Sequence, residues 1–455
     1  MRLSLRQGWM KAGGCRFARQ CLLAVAASAV MGIASVQPTS AVAQSAPPAV
    51  SFRTFVEQVW PDAQKQGVTR ATFDKAFQGV EADLSLPDLV LPKAEGGAGG
   101  SERKAQQAEF VRSPAEYLNP KTLGNLMTSG QALARQWGPT LASIEQKYGV
   151  PRTMVLAIWG RETAYGAYKP PHYAIKVLAT QAYLGRRKAR FREELIAALK
   201  MIEEGHVAIP EFKASWAGAF GLTQFMPSDF YKYAVDFDGD GKRDLLHSVP
   251  DALASAAVQL SKYGWEKDKP WGWEARAPKG ADCALEGLVN VRPMREWLKL
   301  GYLRADAKAM PADMLDVSTM LLMPAGSYGP AFLTTNNFQV IKAYNFADLY
   351  ALFVGHLADR MTGGAPFIQS WSAVTPMPER DAQEMQTYLR AAGFEIEKID
   401  GKVGTKTRSA LGAYQKRQGL TVDCWPTPAT LQHMRQAARR AGAQPAAAKP
   451  AGAVR

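Results

Sequence analysis

The residue best placed to do chemistry lies in the run Arg152-Thr-Met-Val-Leu-Ala-Ile-Trp-Gly-Arg-Glu162-Thr-Ala-Tyr165. Pro151, just before it, favours the start of a helix. Val155, Ile158 and Trp159 then fall at i, i+3 and i+4, and Glu162 follows at i+7 on the same inward face. A carboxylate on an apolar face loses water, and desolvation raises its pKa. A carboxyl that keeps its proton near neutral pH is suited to general-acid work. Gly160 and Gly166 leave room beside it for something bulky. The same facts admit a structural role, because an ion pair with Arg161 or Arg152 would also perturb the carboxylate. Periodicity alone does not separate the two.

Other segments supply groups that suit a sugar. Ser215-Trp-Ala-Gly-Ala-Phe-Gly-Leu-Thr-Gln-Phe-Met-Pro-Ser228 is punctuated by glycines, which allow backbone to approach a ligand, and Gln224 within it both donates and accepts hydrogen bonds. Further on come Gly329-Pro-Ala-Phe-Leu, Asn337-Phe338, Tyr344-Asn345, Tyr350 and Ala358-Asp359-Arg360. Aromatic faces stack on sugar rings and amides bond their hydroxyls, although each tyrosine taken singly fits ordinary core packing equally well. Most glycosidases use a pair of carboxylates. No second carboxylate here matches Glu162, since Glu193, Glu194 and Glu203 sit in a strongly charged stretch that reads as a solvated helix face.

Asp236-Phe-Asp238-Gly-Asp240-Gly-Lys-Arg-Asp244 matches the opening of a calcium-binding EF-hand loop, with Gly241 at its sharp turn. The twelfth position is His247 instead of the bidentate Glu, and Asp251 is the substitute a lengthened loop would offer. Asp236, Asp238, Asp240 and Asp251 are therefore candidate calcium ligands. The alternative is a turn of Asp-Gly pairs followed by a capping box, Ser248-Val-Pro-Asp251. The five histidines are scattered, and no His or Cys cluster has zinc spacing.

At 455 residues the chain has room for two or three domains. Arg2, Arg6, Lys11, Arg16 and Arg19 precede an apolar run from Cys21 to Val36 and an Ala41-Val-Ala43 site, the order of a cleaved signal peptide. The expected mature protein is exported to the periplasm, with no stable membrane span. Its net charge of +14 falls to about +9 without the leader, which suits an anionic polymer; no nucleic-acid recognition motif is present. Only Cys283 and Cys424 remain after cleavage, and their spacing leaves a disulfide and two free thiols equally open. The expected organisation is a signal peptide (1–43), a catalytic region (44–360) with a flexible loop at 93–104, a linker (361–380), a small helical module (381–437) and a disordered tail (438–455). Helical periodicity starts at 51–92 with Phe52, Phe55, Val56, Val59 and Trp60, and it predominates up to residue 360.

These motifs together resemble the lytic murein transglycosylase B family. The resemblance covers roughly residues 51–360. It rests on Trp159-Gly-x-Glu-Thr-x-x-Gly166, Ala217-Gly-Ala-Phe-Gly-x-x-Gln-Phe-Met-Pro-Ser228, Val235-Asp-Phe-Asp-Gly-Asp-Gly241, Pro250-Asp-Ala252 and the Tyr344-Asn345 region, in that order. It implies a mainly α fold with an α+β lysozyme-like catalytic core, and it supports calcium in the aspartate loop without making a cofactor necessary. It implies Glu162 as the single catalytic acid/base, Ser215 and Gln224 near the reacting sugar, and Tyr117, Tyr344, Asn345 and Tyr350 along the groove. One position departs from the pattern. Val258-Gln259 stands where relatives often have Asn-Tyr, so a tyrosine platform is expected to be missing there. Residues 381–437 resemble the three-helix peptidoglycan-binding module of wall enzymes, with Cys424 where relatives often have Gly. The resemblance implies an enzyme acting on peptidoglycan glycan strands, a lytic transglycosylase that leaves 1,6-anhydro-N-acetylmuramic acid ends. A lysozyme-like hydrolase of the same bond and a non-catalytic wall-binding scaffold are the alternatives. Protein partners are not legible, nor is endo against exo cleavage.

Overall fold

A computed structural model describes residues 50–91, 102–103 and 107–443. The signal-peptide reading (1–43), most of the 93–104 loop and the tail beyond 443 lie outside the described residues.

Glu162 lies near the end of the Arg152–Thr163 helix, which forms the hub of the catalytic region. It packs against the Pro120–Gln136, Gly138–Tyr148, Val249–Lys262 and Asp348–Met361 helices. Every residue from Met154 to Gly160 is buried. The sequence suggested one inward stripe; the helix is instead enclosed on all sides, which is the state of a helix that is apolar all round. The first helices, Phe52–Lys65 and Arg70–Phe77, match the N-terminal periodicity, and Ser51 and Thr69 cap them. Within the expected flexible loop, residues 102–103 pair with 89–90 as a short antiparallel ladder.

The largest sheet is a five-stranded antiparallel one with no clear periodicity in the sequence. Its spatial order is Arg292–Pro293, Ser318–Leu322, Ala331–Thr334, Gly272–Arg276 and Leu303–Arg304. The central strands are fully buried on both faces at Thr319–Leu322 and Ala331–Thr334, so they read as apolar runs instead of alternation. Behind this sheet, Trp297, Tyr302, Met294 and Leu321 form a second core, and Cys283 and Cys424 belong to it.

The C-terminal module has the expected three helices, Glu379–Ala391, Thr405–Arg417 and Pro428–Ala443, around Met385, Leu389, Leu411, Tyr414, Leu431 and Met434. The last helix runs to Ala443, into the stretch expected to be disordered from 438. Cys424 takes the left-handed backbone (φ 55°) that a glycine would adopt at no cost. Residues 361–380 do not behave as a free linker. Phe367 stacks on His356 and Trp371 on Phe332, and the Glu274 carboxylate accepts the backbone N–H groups of Ile368 (2.8 Å) and Gln369 (2.7 Å). Gly329 is needed for this strap, because a Cβ there would lie 2.7 Å from the Trp371 ring.

Cys283 and Cys424 form a disulfide across 141 residues, which joins the module to the sheet. Replacing both by alanine is expected to lower the unfolding free energy by about 2–4 kcal/mol. A urea melt of the double variant reads this as a lower midpoint, and an unchanged midpoint would show that the bond adds nothing.

Candidate active site

The catalytic-helix end is shaped by its exit. Immediately after Glu162-Thr163, Ala164 and Tyr165 both take positive φ (48° and 59°) and Gly166 follows at 81°. Two non-glycine residues in succession in this region carry strain that only the surrounding packing can hold. The packing is explicit. Thr163 donates its hydroxyl to the Leu222 carbonyl (2.7 Å) and accepts the Gly166 N–H (3.1 Å), which fastens the helix end to the glycine-rich segment. Tyr165 turns back and donates to the Leu126 carbonyl (2.9 Å). Gly160 makes room for this Tyr165 ring, since a Cβ would meet it at 2.6 Å, and so does not serve substrate access as its sequence position suggested.

Among the described residues the Glu162 carboxyl has one hydrogen-bond partner: the Tyr350 hydroxyl donates to Oε1 at 2.5 Å. Neither arginine proposed as a structural partner takes that place. Arg152 pairs with Glu145, while Arg161 donates to the Tyr117 hydroxyl (3.1 and 2.7 Å) and lies over the Tyr117 and Phe353 rings. Burial pushes the Glu162 carboxyl up to about 7, against the Tyr350 hydrogen bond and the Arg161 charge, which lower it; the Glu109 charge adds to the rise. Burial dominates, and the result suits a group that must give and take a proton near neutrality. Tyr350 and Tyr344 are raised well above the ordinary tyrosine value, first by burial and next by the Glu162 charge, so both remain hydroxyl donors.

Tyr350 links this carboxyl to Tyr344, and Tyr344 shares a cavity with Gln224. Tyr344 stacks parallel to Tyr350 (centroids 6.4 Å apart, planes 5° apart) and donates to the Thr223 carbonyl at 2.8 Å. Gln224, next in sequence, sits at φ 56° and donates to the Gly221 carbonyl at 2.9 Å. Asn345 presents a buried Oδ1 with no partner among the described residues, an acceptor left for a ligand. A cavity of about 190 Å³ opens beside Tyr344 and is lined by Gln224, Gln259 and Tyr263, with Arg190 and Asp229 at its charged edge. Tyr117 reaches the site through Arg161. Ser215 instead serves its own loop, where its hydroxyl accepts the backbone N–H groups of Ala217 (3.4 Å) and Ala219 (3.2 Å).

Several readings change. The loop glycines admit protein, not ligand: a Cβ on Gly218 would lie 2.2 Å from Leu178, and one on Gly221 2.5 Å from the Leu245 carbonyl oxygen. Asn337 clamps the 266–269 backbone, and Asp359 accepts from Trp271 Nε1, so both belong to the scaffold. Glu194 is buried instead of solvated and accepts the Ser228 N–H and hydroxyl, both at 2.9 Å. At the departure from the family pattern, Gln259 donates to the Tyr263 hydroxyl at 2.9 Å. A tyrosine therefore reaches the cavity from one helical turn further on. Glu109, Thr163 and Tyr263 were not singled out from the sequence. Only Thr163, adjacent to Glu162, carried a signal there.

In the aspartate loop, Asp236, Asp238 and Asp251 bring oxygens within 4.8 Å of one another, and Asp240 is not in that group. The oxygen-only donor set fits a hard divalent cation. Asp251 is fully buried and already accepts the N–H groups of Phe237 (2.7 Å) and Asp238 (3.4 Å) at Oδ1 and of Asp244 (2.8 Å) at Oδ2, which leaves Oδ2 the freer oxygen. Ser248 caps the following helix at the Asp251 N–H (3.2 Å), but the reciprocal half of the expected capping box is absent because Asp251 serves the loop.

The transglycosylase SLT domain family matches residues 51–359, and the peptidoglycan binding domain family matches residues 379–434. The chain is 28% identical over 305 residues to membrane-bound lytic murein transglycosylase B of Escherichia coli (strain K12), covering 65% of this chain and 81% of that protein. Crystal structures of SltB3 from Pseudomonas aeruginosa superpose well. The complex with NAG-anhNAM-pentapeptide gives a TM-score of 0.74 at 37% identity, covering 85% of this chain and 99% of that one. The complex with NAG-NAM-pentapeptide gives 0.75 at 36% identity, covering 85% and 100%.

Tyr350→Phe removes the hydrogen bond that lowers the Glu162 pKa, so burial acts with less opposition. The acid form should then persist to higher pH, which moves the basic limb of the kcat/KM profile upward from about 7. The rate at the optimum should fall by roughly tenfold. A profile on a soluble glycan substrate that keeps its basic limb in place would contradict this assignment.

Proposed function

The chain belongs to the transglycosylase SLT domain family, and from that premise we propose that it cleaves peptidoglycan glycan strands as a lytic transglycosylase, with Glu162 acting first as acid and then as base. The observation that carries the reading is a desolvated carboxyl that accepts from Tyr350, whose ring stacks on Tyr344 at the wall of a cavity lined by Gln224, Gln259 and Tyr263.

The protonated Glu162 gives its proton to the glycosidic oxygen after an N-acetylmuramic acid residue. The leaving sugar departs with the bonding pair, and positive charge develops at C1. The N-acetyl group of the substrate limits the cost of that charge. Glu162, now a carboxylate stabilised by the Tyr350 hydroxyl, takes the proton of the C6 hydroxyl, whose oxygen closes onto C1. Attack by a group of the same sugar needs no bound water and gains from being held in place. A second carboxylate, which retaining and inverting hydrolysis both use, is not required. The SltB3 complexes lend support, since their ligands differ in the anhydro ring that this closure would form.

Action on peptidoglycan requires export. The basic leader with its apolar run and the Cys283–Cys424 disulfide, a bond favoured in oxidising compartments, agree with a periplasmic enzyme. Among the described residues no helix is long and apolar enough to cross a membrane. The C-terminal module supplies a second contact with the wall.

Product analysis of purified sacculi tests the reading. Wild-type protein should release muropeptides lighter than hydrolytic products by one water, and Glu162→Gln should lose activity by about 10²- to 10⁴-fold. Reducing ends would indicate the hydrolase, and binding without release in both proteins would indicate a scaffold. Calcium, if held by Asp236, Asp238 and Asp251, acts on stability, because Asp251 and Gln259 lie two helical turns apart and no ligand touches Glu162. Thermal melts with calcium and with chelator should differ in midpoint while kcat at low temperature stays the same; equal midpoints remove calcium from the account.

A further inference from the structure

The module is joined to the catalytic region by buried charge as well as by the disulfide. Arg408, in the Thr405–Arg417 helix, is almost completely buried. Its guanidinium donates to Glu286 at 3.0 and 2.5 Å and to Asp348 Oδ2 at 3.1 Å. Thr405 donates to the same Asp348 oxygen through its hydroxyl (2.8 Å) and its backbone N–H (3.2 Å). Lys342 takes the other oxygen at 2.6 Å. Burial alone would raise the Asp348 carboxyl, but Lys342 and Arg408 outweigh it and hold the group well below the usual carboxylate range.

Asp348 is the first residue of the Asp348–Met361 helix, and Tyr350 stands two residues on. That helix begins without a side-chain cap of its own, because the N-cap residue is Ala347. Its first turn therefore lacks the local fixing that a Ser or Asp cap gives. The anchor comes from across the domain boundary instead. We propose that Arg408 and Thr405 are positioning residues for catalysis: by fixing Asp348 they fix the turn that aims the Tyr350 hydroxyl at Glu162. The module thus has a part in the chemistry apart from holding the enzyme to the wall. The inference rests on the reading of Glu162 as the acid.

The groups that face Glu162 are Tyr350 from this helix, Tyr344 from the Asn336–Asn345 helix, Arg161 on its own helix, and Glu109 and Tyr117 from the Ala108–Val111 and Pro114–Tyr117 helices. Asp348 faces Lys342, Arg408 and Thr405, with Glu286 behind Arg408. Tyr350 is tied to Asp348 within one helical turn, which gives a disturbance at Asp348 a short path to that hydroxyl; Tyr344, two residues from Lys342, and Glu109, between the Gln107 and Phe110 that Lys402 of the module touches, offer the other paths.

The test uses the full chain and two substrates: intact sacculi, which engage the module, and a short soluble tetrasaccharide of alternating NAG and NAM, for which tethering gives no advantage. Thr405→Val removes the hydroxyl bond to Asp348 and the longer one accepted from Arg408 (3.4 Å) but leaves Asp348 paired with Arg408 and Lys342, so the fold should persist, as a melting curve will show. On the tetrasaccharide its kcat should fall roughly threefold to tenfold with KM little changed. Its basic limb should move to higher pH, and Thr405→Ser, which keeps the hydroxyl, should restore both. Arg408→Met should act in the same direction more strongly; if it unfolds, Thr405→Val decides. A folded Thr405→Val enzyme with wild-type kcat and an unmoved basic limb on the tetrasaccharide, impaired only on sacculi, overturns the proposal and leaves a tether. Failure of the underlying reading looks different: wild-type protein would then form no anhydro product from either substrate.

Discussion

The site depends on a competition at one carboxyl. Burial in the hub of the helical core favours the protonated form of Glu162, while the Tyr350 hydroxyl and the nearby Arg161 charge favour the ionised form. Either influence alone would spoil the group. An exposed glutamate would be ionised before it met a glycosidic oxygen, and one buried without a donor would have no support for the carboxylate needed in the second half of the reaction. The balance near 7 is a property of placement, and so the surrounding architecture is chiefly a means of placing one hydroxyl against one carboxyl.

That placement carries strain. Ala164, Tyr165 and Gln224 all have positive φ without being glycine, and all three lie on the two segments that meet beside Glu162. Their conformations persist because specific bonds over-determine them: Thr163 to the Leu222 carbonyl, Tyr165 to the Leu126 carbonyl and Gln224 to the Gly221 carbonyl. The glycines nearby serve the same end. Gly160, Gly218 and Gly221 admit Tyr165, Leu178 and the Leu245 carbonyl, so close packing of the protein upon itself explains them better than access for a ligand.

The chemistry was legible in the sequence to the extent that it depended on residue type within a motif. Glu162, Gln224, Tyr344, Asn345 and Tyr350 were all picked out; the structure bonds Tyr350 to Glu162, stacks Tyr344 on Tyr350 and sets Gln224 in one cavity with Tyr344. Local patterning could not give relations made across the fold. Glu194 sits in a highly charged stretch yet is buried, because Ser228 from another helix satisfies both of its oxygens. The five-stranded sheet gave little periodic signal because its central strands are buried on both faces. The 361–380 segment has the glycines and prolines of a linker, but Phe367 and Trp371 within it find aromatic partners on the core. Cys283 and Cys424 meet although nothing in their spacing required it.

The seam between module and core shows what such long-range contacts are for. Removing Arg408, Glu286 and Asp348 from water is costly, and a well-packed apolar contact of similar volume is often as stable or more so. Stability is therefore a weak explanation for a buried charged triad. Specificity is a better one, because breaking a buried pair by misalignment costs about 3–5 kcal/mol, so only one seating of the module is tolerated. A tether that merely raised local concentration would gain from a loose connection with wide reach. Here a disulfide, a packed strap and a buried triad all restrict that reach. Restriction makes sense if the orientation of the module matters, and the place where the triad touches the catalytic region is the uncapped first turn of the helix that carries Tyr350.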